Sequence, residues 1–531
     1  MSNNDIKWSS YQQAIFEWVT NGRGNAIVNA VPGSGKTTTL TQGVAPLIRT
    51  SRQTAAFVAF SRDIVKEINR QLEESGANMY AKTCHAFGRA MIAKHLGSTK
   101  TIDVDQYKYR GIANTYAEFM IEKPYRYEFA KVAVNLIRHM MLALVEPDDE
   151  KELIRLAFYY QILEDIYLGT TGDPKDPPNE NGKLLLSVIR AMPALINKGE
   201  EQAQAGVINF EEMLWLPIRW DLQSEGHDWV LVDECQDLSP LQLKLVLRLR
   251  RSGGRMLFVG DPNQAIFGFA GADSASYQNI IKETGAVELP LSVCYRCPTS
   301  HIRLLQGMVP EVTGRDNAPE GSIVTVEAEK VHSVIREGDL ILCRTTAPLV
   351  KLCIELIALQ VPARVKGHDI GRGLVRLVKQ IEKNVSQKGV FEFRELPGYL
   401  DDYLEKQIYI LSQKLDDPAG QIESVSDRVA CIQTCYSSMV PDSLEEFCQR
   451  MGDLFDDKRS SVYLSTVHRA KGAQNDRVLI IRPEQLPLIW QNQTPEQYAQ
   501  EMNLRYVALS RSKDVLVFVE ETKLKDKKGL L

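Results

Sequence analysis

Long apolar runs are missing from this chain of 531 residues: no stretch approaches the ~18 consecutive apolar residues that span a bilayer. The start, Met1 to Ser10, is polar and lacks the basic-then-apolar pattern of a leader peptide, so secretion and a membrane partner are not expected and a cytoplasmic location is. A large excess of one charge is missing too. Lys and Arg number 63 against 68 Asp and Glu, a net charge of −5. That excludes a globally basic, histone-like nucleic-acid binder but not a local basic groove. No low-complexity tract and no repeat at a solenoid period is present. Cysteines are few and odd in number: nine, at 84, 235, 294, 297, 343, 353, 431, 435 and 448. In so large a chain this argues against a disulfide scaffold and for a reducing compartment. Cys294, Cys297, Cys431 and Cys435 have the stoichiometry of a four-thiolate zinc site. No second C-x-x-C and no local His pattern accompanies them, so buried thiols are the expectation.

What is present is ordinary for a globular protein: 44% hydrophobic and 25% charged residues, which excludes disorder as the dominant state. The length suggests three or four domains. Short apolar runs ending in small or acidic residues mark strands at Ala26 to Val28, Ala55 to Phe60, Trp229 to Val232, Met256 to Val259, Leu340 to Leu342, Val462 to Leu464, Val478 to Ile481 and Val515 to Val519. Uninterrupted runs of this kind belong to strands buried on both faces, hence to an α/β fold with parallel sheets. Helical stretches lie between them; Leu374, Leu377, Val378 and Ile381 follow the helical spacing. Two stretches, 97–205 and 371–457, read as mainly helical insertions into the α/β core. The predicted organisation is therefore a first core of 1–96 and 206–280 interrupted by 97–205, and a second core of 281–370 and 458–531 interrupted by 371–457.

Ala30-Val-Pro-Gly33-Ser34-Gly35-Lys36-Thr37-Thr38 follows a strand and precedes a helical stretch, the setting a phosphate loop requires. Its glycines let backbone N–H groups turn onto phosphate oxygens, and the next helix adds a partial positive charge. Lys36 is placed to reach the β- and γ-phosphates and Thr37 to ligate Mg2+. Ala30 stands where the strict pattern has its first Gly. Val230-Leu-Val-Asp233-Glu234-Cys-Gln236-Asp237 delivers adjacent carboxylates at the carboxyl end of a buried strand, where open α/β sheets hold their ligands. Asp233 suits Mg2+, and Glu234 suits the orientation or deprotonation of an attacking water. Together these features imply a Mg2+-dependent nucleoside triphosphatase, and ATP as its nucleotide is what the resemblance named below implies; an acidic turn and a Gly-rich turn are the structural alternatives.

Further motifs occur in a fixed order. They are Ser9-Ser-Tyr-Gln12, Phe60-Ser61-Arg62, Thr83-Cys-His85-Ala-Phe87, Asp233-Glu-Cys-Gln-Asp237, Gly260-Asp-Pro-Asn-Gln264-Ala-Ile-Phe267-Gly-Phe269, Cys294-Tyr295-Arg296, Leu464-Ser-Thr-Val-His468-Arg-Ala-Lys471-Gly472 and Tyr506-Val-Ala-Leu-Ser510-Arg511. In these residues the chain resembles superfamily 1 DNA helicases of the UvrD/Rep type. The resemblance implies two RecA-like P-loop cores, each with a helical insertion, and ATP in the cleft between them. It implies adenine contact by Gln12, a nucleotide cradle of Gly33, Ser34, Gly35, Lys36, Thr37 and Thr38, and γ-phosphate sensing by Gln264. Arg296 and Arg511 are implied as arginine fingers from the second core. Phe60, His85, Phe87, Phe267, Phe269 and His468 are implied contacts to single-stranded DNA. For the aromatic residues core packing is the alternative, and for Phe87 it is the stronger one without the resemblance. Gly472 and Gln474 are implied at the ribose, with a departure: relatives carry Glu where this chain has Gln474, and Asp476 is a rival for the role. Tyr107-Lys-Tyr-Arg110 and Lys123-Pro-Tyr-Arg-Tyr127 interleave aromatic and basic residues, which suits a nucleic-acid track or a half-buried helix face. The second insertion holds ten Lys and Arg against sixteen Asp and Glu and is not expected to be the main DNA contact.

The expected activity is ATP-driven translocation on single-stranded DNA and unwinding at single-strand/duplex junctions. A 3′ to 5′ polarity is carried by the resemblance alone. Accessory repair, replication or nuclease proteins are the expected partners. The rival readings are a nucleic-acid-sensing ATPase that gates a partner nuclease and a small-molecule kinase.

Overall fold

The computed structural model describes residues 6–521 apart from 51–52, 78, 98–100, 161, 164–165, 170–176, 267–275, 388, 415–418, 456–460 and 491–492. Its two main sheets each contain six strands, all parallel. The first is built from β1 (Ala26–Ala30), β2 (Ala55–Ala59), β3 (Ala81–Thr83), β4 (His227–Val232), β5 (Arg250–Gly260) and β6 (Val287–Leu291), in the order β3-β2-β4-β5-β1-β6. The second contains β7 (Ser322–Glu327), β8 (Leu340–Cys343), β9 (Ala363–Val365), β10 (Val462–Thr466), β11 (Asn475–Ile481) and β12 (Ser512–Glu520), in the order β7-β12-β11-β8-β10-β9.

Successive strand side chains point to opposite faces, and both faces of each sheet are covered. On the first sheet Ile27, Val58, Val230, Val232 and Phe258 enter one apolar core, and Val28, Phe57, Ala59, Leu231 and Val259 enter the other. On the second, Ile341, Leu464, Leu479 and Val517 face one core while Leu340, Leu342, Val478, Ile480 and Leu516 face its opposite. This two-sided burial is why the inner strands are apolar runs without alternation.

The insertions are not appendages. Helices Lys108–Met120, Arg126–Ala143, Glu150–Tyr159 and Glu180–Gln204 share the core that covers one face of the first sheet. Helices His368–Ser386, Leu396–Lys414, Ala419–Met439 and Leu444–Asp453 do the same for the second sheet. Leu374, Leu377, Val378 and Ile381 are all buried there. Arg344 binds the second insertion to its sheet. It makes an ion pair with Glu423 at 2.8 Å and a forked pair with Glu501, whose shortest contact is 2.6 Å. One expectation is corrected: Val287–Leu291, assigned to the second core, is the β6 edge strand of the first sheet, paired to β1.

Every one of the nine cysteines is buried and unbridged. No cluster of three or more His, Cys, Asp or Glu side chains able to hold a metal ion occurs among the described residues. None of the described helices is long and apolar enough to cross a membrane.

Candidate nucleotide-hydrolysis site

β4, β5 and β1 are neighbours in the first sheet, so their carboxyl ends open onto one place. β1 leads into the phosphate loop, β4 into Asp233-Glu234 and β5 into Asp261. Gly33 and Gly35 take left-handed conformations, φ +67° and +78°. At Gly33 a Cβ would stand 2.5 Å from the Arg296 Cβ, so glycine is needed both for the turn and for the close approach of the Arg296 segment. Ser34 is fully buried and its Oγ has no partner among the described residues. An orphaned buried hydroxyl is costly unless a ligand satisfies it.

Thr37 Oγ1 donates to Asp233 Oδ2 at 2.7 Å. Lys36 Nζ lies 3.5 Å from Glu234 Oε1. Burial opposes the Lys36 charge, but Glu234, Asp261 and Asp233 outweigh it and raise its pKa. Burial and the adjoining Glu234 charge push Asp233 up, while Lys36 and Lys471 overcome burial to hold Glu234 down as a carboxylate. Glu234 is a non-glycine residue at φ +52°. Gln236 Nε2 donates to its Oε2 at 2.7 Å and fixes the carboxylate in this strained conformation. Thr37 and Asp233 are a fitting donor set for Mg2+, which takes one or two protein oxygens and completes its shell with water and phosphate.

The second core reaches into the same cleft. Arg296 Nη1 donates to the Ser510 carbonyl at 3.1 Å, and its buried Nε has no partner among the described residues. Arg511 is 1% exposed and, among the described residues, donates only to neutral acceptors: the carbonyls of Val507 and Ala473, Ser510 Oγ and Gln264 Oε1. Burial, with the Arg296 charge nearby, pushes its pKa down to about 9. A buried guanidinium without a carboxylate is electrostatically incomplete and gains from any anion brought to it. Gln264 joins the two cores. Its Nε2 donates to Asp261 Oδ2 at 2.7 Å and its Oε1 accepts from Arg511 Nη2 at 3.2 Å. Asn503 Nδ2 donates to the carbonyl of Ala265 at 3.1 Å, and Gln500 Nε2 to that of Ile266 at 3.2 Å.

Other expected site residues are placed less directly. Gln12 is buried and spent on structure. Its Oε1 accepts from Ser9 N in a capping box, and its Nε2 donates to Thr39 Oγ1 at 2.9 Å, bracing the helix after the phosphate loop. Thr38 closes the first turn of that helix. Gly472 and Gln474 lie exposed, and Asp476 faces solvent near Lys513. Tyr295 and Lys471 carry contacts to which sequence reasoning gave no role. The Tyr295 hydroxyl lies 3.4 Å from Gln12 Oε1, and Lys471 Nζ lies 2.6 Å from Asp237 Oδ1. Both sit inside motifs read for another residue.

On the expected DNA path, Phe60 is 47% exposed at the end of β2. His85 stacks on exposed Phe210, ring centroids 4.0 Å apart, and burial with the Arg62 charge nearby lowers its pKa to about 4. Phe210 follows no motif, so its sequence offered no signal. His468 is half-buried and its pKa is driven down to about 3, chiefly by burial. Phe87 is corrected: its ring is buried in the first core, edge-on to His227. Phe267 and Phe269 lie outside the described residues. In the first insertion Lys108 and Tyr109 are buried on Glu212, whereas Arg110 stacks over exposed Tyr127 at 4.8 Å.

The UvrD/REP helicase N-terminal domain family matches residues 11–285, just over half of the chain. F-box DNA helicase protein 1 of Schizosaccharomyces pombe is 24% identical over 305 residues, 55% of this chain and 34% of that protein. DNA helicase II of Escherichia coli strain K12 is 23% identical over 321 residues, 56% of this chain and 40% of that protein. The RecBCD enzyme subunit RecB of Mycobacterium tuberculosis strain CDC 1551 is 34% identical over 86 residues, 16% of this chain and 8% of that one. The chain spans less than half the length of each of these relatives.

Proposed function

The chain belongs to the UvrD/REP helicase family, and from that premise we propose that it hydrolyses ATP with Mg2+ to move along single-stranded DNA, 3′ to 5′, and to unwind duplex at single-strand junctions in the cytoplasm. The observation that carries the reading is the convergence of both cores on one cleft. Lys36, Asp233, Glu234 and Gln264 come from the first, and Arg296, Lys471 and Arg511 from the second.

In this reading the loop from Gly33 to Thr38 cradles the phosphates, and the Lys36 ammonium holds the β/γ end. Thr37 and Asp233 would hold Mg2+, which when bound would neutralise phosphate charge. Glu234, kept ionised by Lys36 and Lys471, orients the attacking water and accepts its proton. Arg296 and Arg511 meet charge developing on the transferred phosphoryl group, and Gln264 reports its presence across the cleft. Because these arginines belong to the second core, hydrolysis requires cleft closure, and each cycle becomes relative motion of the cores. Phe60, the His85–Phe210 stack and His468 contact the strand, with any base stacking tolerant of sequence. Gln474 reads the ribose weakly, because an amide accepts a hydrogen bond without charge assistance.

Unwinding of duplexes bearing a 3′ or a 5′ single-stranded tail tests the proposal. Unwinding of the 3′-tailed duplex alone is expected. Unwinding of only the 5′-tailed duplex contradicts the polarity. DNA-stimulated hydrolysis with neither duplex opened is the behaviour of an ATPase that gates a nuclease.

A further inference from the structure

Thr37 lies in the first helical turn after the phosphate loop, and that helix does not run on as an α-helix. Thr39–Val44 is wound as a π-helix, and at its end Ala45 N donates to the Leu40 carbonyl five residues back. Such wider turns are frequent at functional sites. Thr41 is fully buried in this segment. Its Oγ1 lies 2.8 Å from the Thr37 carbonyl and 2.9 Å from Gln71 Oε1. A hydroxyl carries one proton and gives it to one acceptor at a time. The Gln71 amide is held with its oxygen toward Thr41, because its Nε2 donates to Glu67 Oε1 at 2.8 Å. Thr41 therefore has two hydrogen-bonded states. In one its proton closes the turn on Thr37. In the other the proton goes to Gln71, and the Thr37 carbonyl gives up that bond.

Gln71 belongs to helix Arg62–Glu74, which is tied to both expected strand contacts of the first core. The helix starts at Ser61, whose Oγ accepts from Ile64 N at 3.3 Å, immediately after exposed Phe60. Further along, Asn69 is bonded to Ala81 in both directions: its Oδ1 accepts from Ala81 N at 2.6 Å and its Nδ2 donates to the Ala81 carbonyl at 3.2 Å. Ala81 begins β3, which runs directly into Thr83-Cys84-His85. One helix thus joins the Phe60 segment, the His85 segment and, through Gln71 and Thr41, the turn that carries Thr37. Thr37 Oγ1 in turn donates to Asp233.

We propose that Thr41 and Gln71 are positioning residues through which a bound single strand acts on ATP hydrolysis. A strand seated on Phe60 and His85 shifts helix Arg62–Glu74. The shift changes the approach of Gln71 to Thr41 and redistributes the Thr41 proton between Gln71 and the Thr37 carbonyl. Thr37 and its bond to Asp233 are thereby re-aimed. Coupling between two sites requires an element with two arrangements that both sites bias, and the shared proton of Thr41 is such an element. Neither residue needs to touch nucleotide or strand. The inference rests on the proposed DNA-stimulated ATPase and names the side chains that set the size of the stimulation.

The test compares the parent with Thr41→Val, Thr41→Ser, Gln71→Met and the Thr41→Val/Gln71→Met double variant. Two quantities are read for each. One is the ratio of kcat for ATP with saturating oligothymidylate to kcat without it. The other is the change in oligothymidylate affinity caused by a non-hydrolysable ATP analogue with Mg2+. Thr41→Val keeps the volume and removes the proton. Gln71→Met removes the second acceptor and leaves the proton on Thr37. Each should lower the ratio about fivefold or more and shrink the effect of the analogue on affinity. Oligothymidylate affinity without nucleotide should stay at the parent's value, and Thr41→Ser should behave as the parent does. The double variant should lose no more than the worse single variant, since both changes break one link. Gln71 is half-buried on its helix, so Gln71→Met decides the matter even where Thr41→Val fails to fold. An unchanged ratio in either folded single variant overturns the inference. So does a fall of both rates together that leaves the ratio intact, which is the mark of a packing role. With the parent stimulated by the strand, these outcomes leave the functional reading standing. A parent indifferent to the strand overturns that reading and the inference with it.

Discussion

Lys471 Nζ lies 2.6 Å from Asp237 Oδ1, joining the second core to the first through two side chains that are 10% and 5% exposed. Lys471 also donates to the Gln264 carbonyl. One ammonium thus holds the loop after β4 and the loop after β5, the two segments that aim Glu234 and Gln264. Burial pushes the Asp237 carboxyl up to about 6, against the pull of Lys471. Lys471→Met leaves that carboxylate buried without its cation, which is more damaging than losing both charges. In a cycle of Lys471→Met, Asp237→Asn and the double variant, each single change should lower kcat for ATP. The coupling energy should exceed about 1 kcal/mol. Additive effects would show that the pair does not act as a unit.

Glu234→Gln and Asp233→Asn should separate in a Mg2+ titration. The amide of Glu234→Gln takes no proton, so hydrolysis slows while nucleotide and metal still bind. Asp233→Asn weakens the donor set shared with Thr37 and should raise the Mg2+ concentration needed for half-maximal rate. Identical titration midpoints for the two variants would contradict the separate roles.

Arg296→Ala and Arg511→Ala should each lower kcat about a hundredfold or more, since each removes charge aimed at the transition state. Affinity for single-stranded DNA without nucleotide should stay unchanged. Arg511→Ala also breaks the bond to Gln264 Oε1, so it should weaken the effect of bound nucleotide on DNA affinity. Lost DNA binding with intact hydrolysis would reverse the assignment.

The inner strands were legible in the sequence and the edges were not. All eight apolar runs lie in interior strands, four in each sheet. The four strands of the two main sheets that were missed, β3, β6, β7 and β9, are the four edges of those sheets. An edge is paired on one side only, and each of these strands is short or carries polar residues. β3 has three residues with Lys82 exposed, β6 contains Glu288 and Pro290, and β7 is buried at no position. Charges and proline are what edges tolerate and interiors do not. The phosphate loop and the carboxylates after β4 were legible because their local sequence sets their conformation. The roles of Lys471 and Tyr295 arise from contacts across more than two hundred residues, which no local pattern encodes.

His301 supplies a pH prediction. It is 1% exposed, its Nε2 has no partner among the described residues, and burial lowers its pKa to about 4. An unfolded histidine titrates near 6.5, so the unfolded chain binds the proton first. This contribution to stability is complete above about pH 6.5 and is lost progressively as pH falls toward 4. His301→Asn should therefore lose less thermal stability than the parent between pH 7.5 and about 5. Parallel thermal midpoints across that range would show that His301 does not titrate as its burial requires.

The most direct measurement is the steady-state rate of ATP hydrolysis by the whole chain, with and without single-stranded DNA, beside the same rates for Lys36→Ala. Lys36 is the buried cation between Glu234, Asp233 and Asp261, placed for the β/γ-phosphates. The account predicts slow Mg2+-dependent hydrolysis by the parent, strong stimulation by the single strand, and no hydrolysis by Lys36→Ala, which still binds DNA. Hydrolysis indifferent to the single strand, or near-normal turnover in Lys36→Ala, would contradict it.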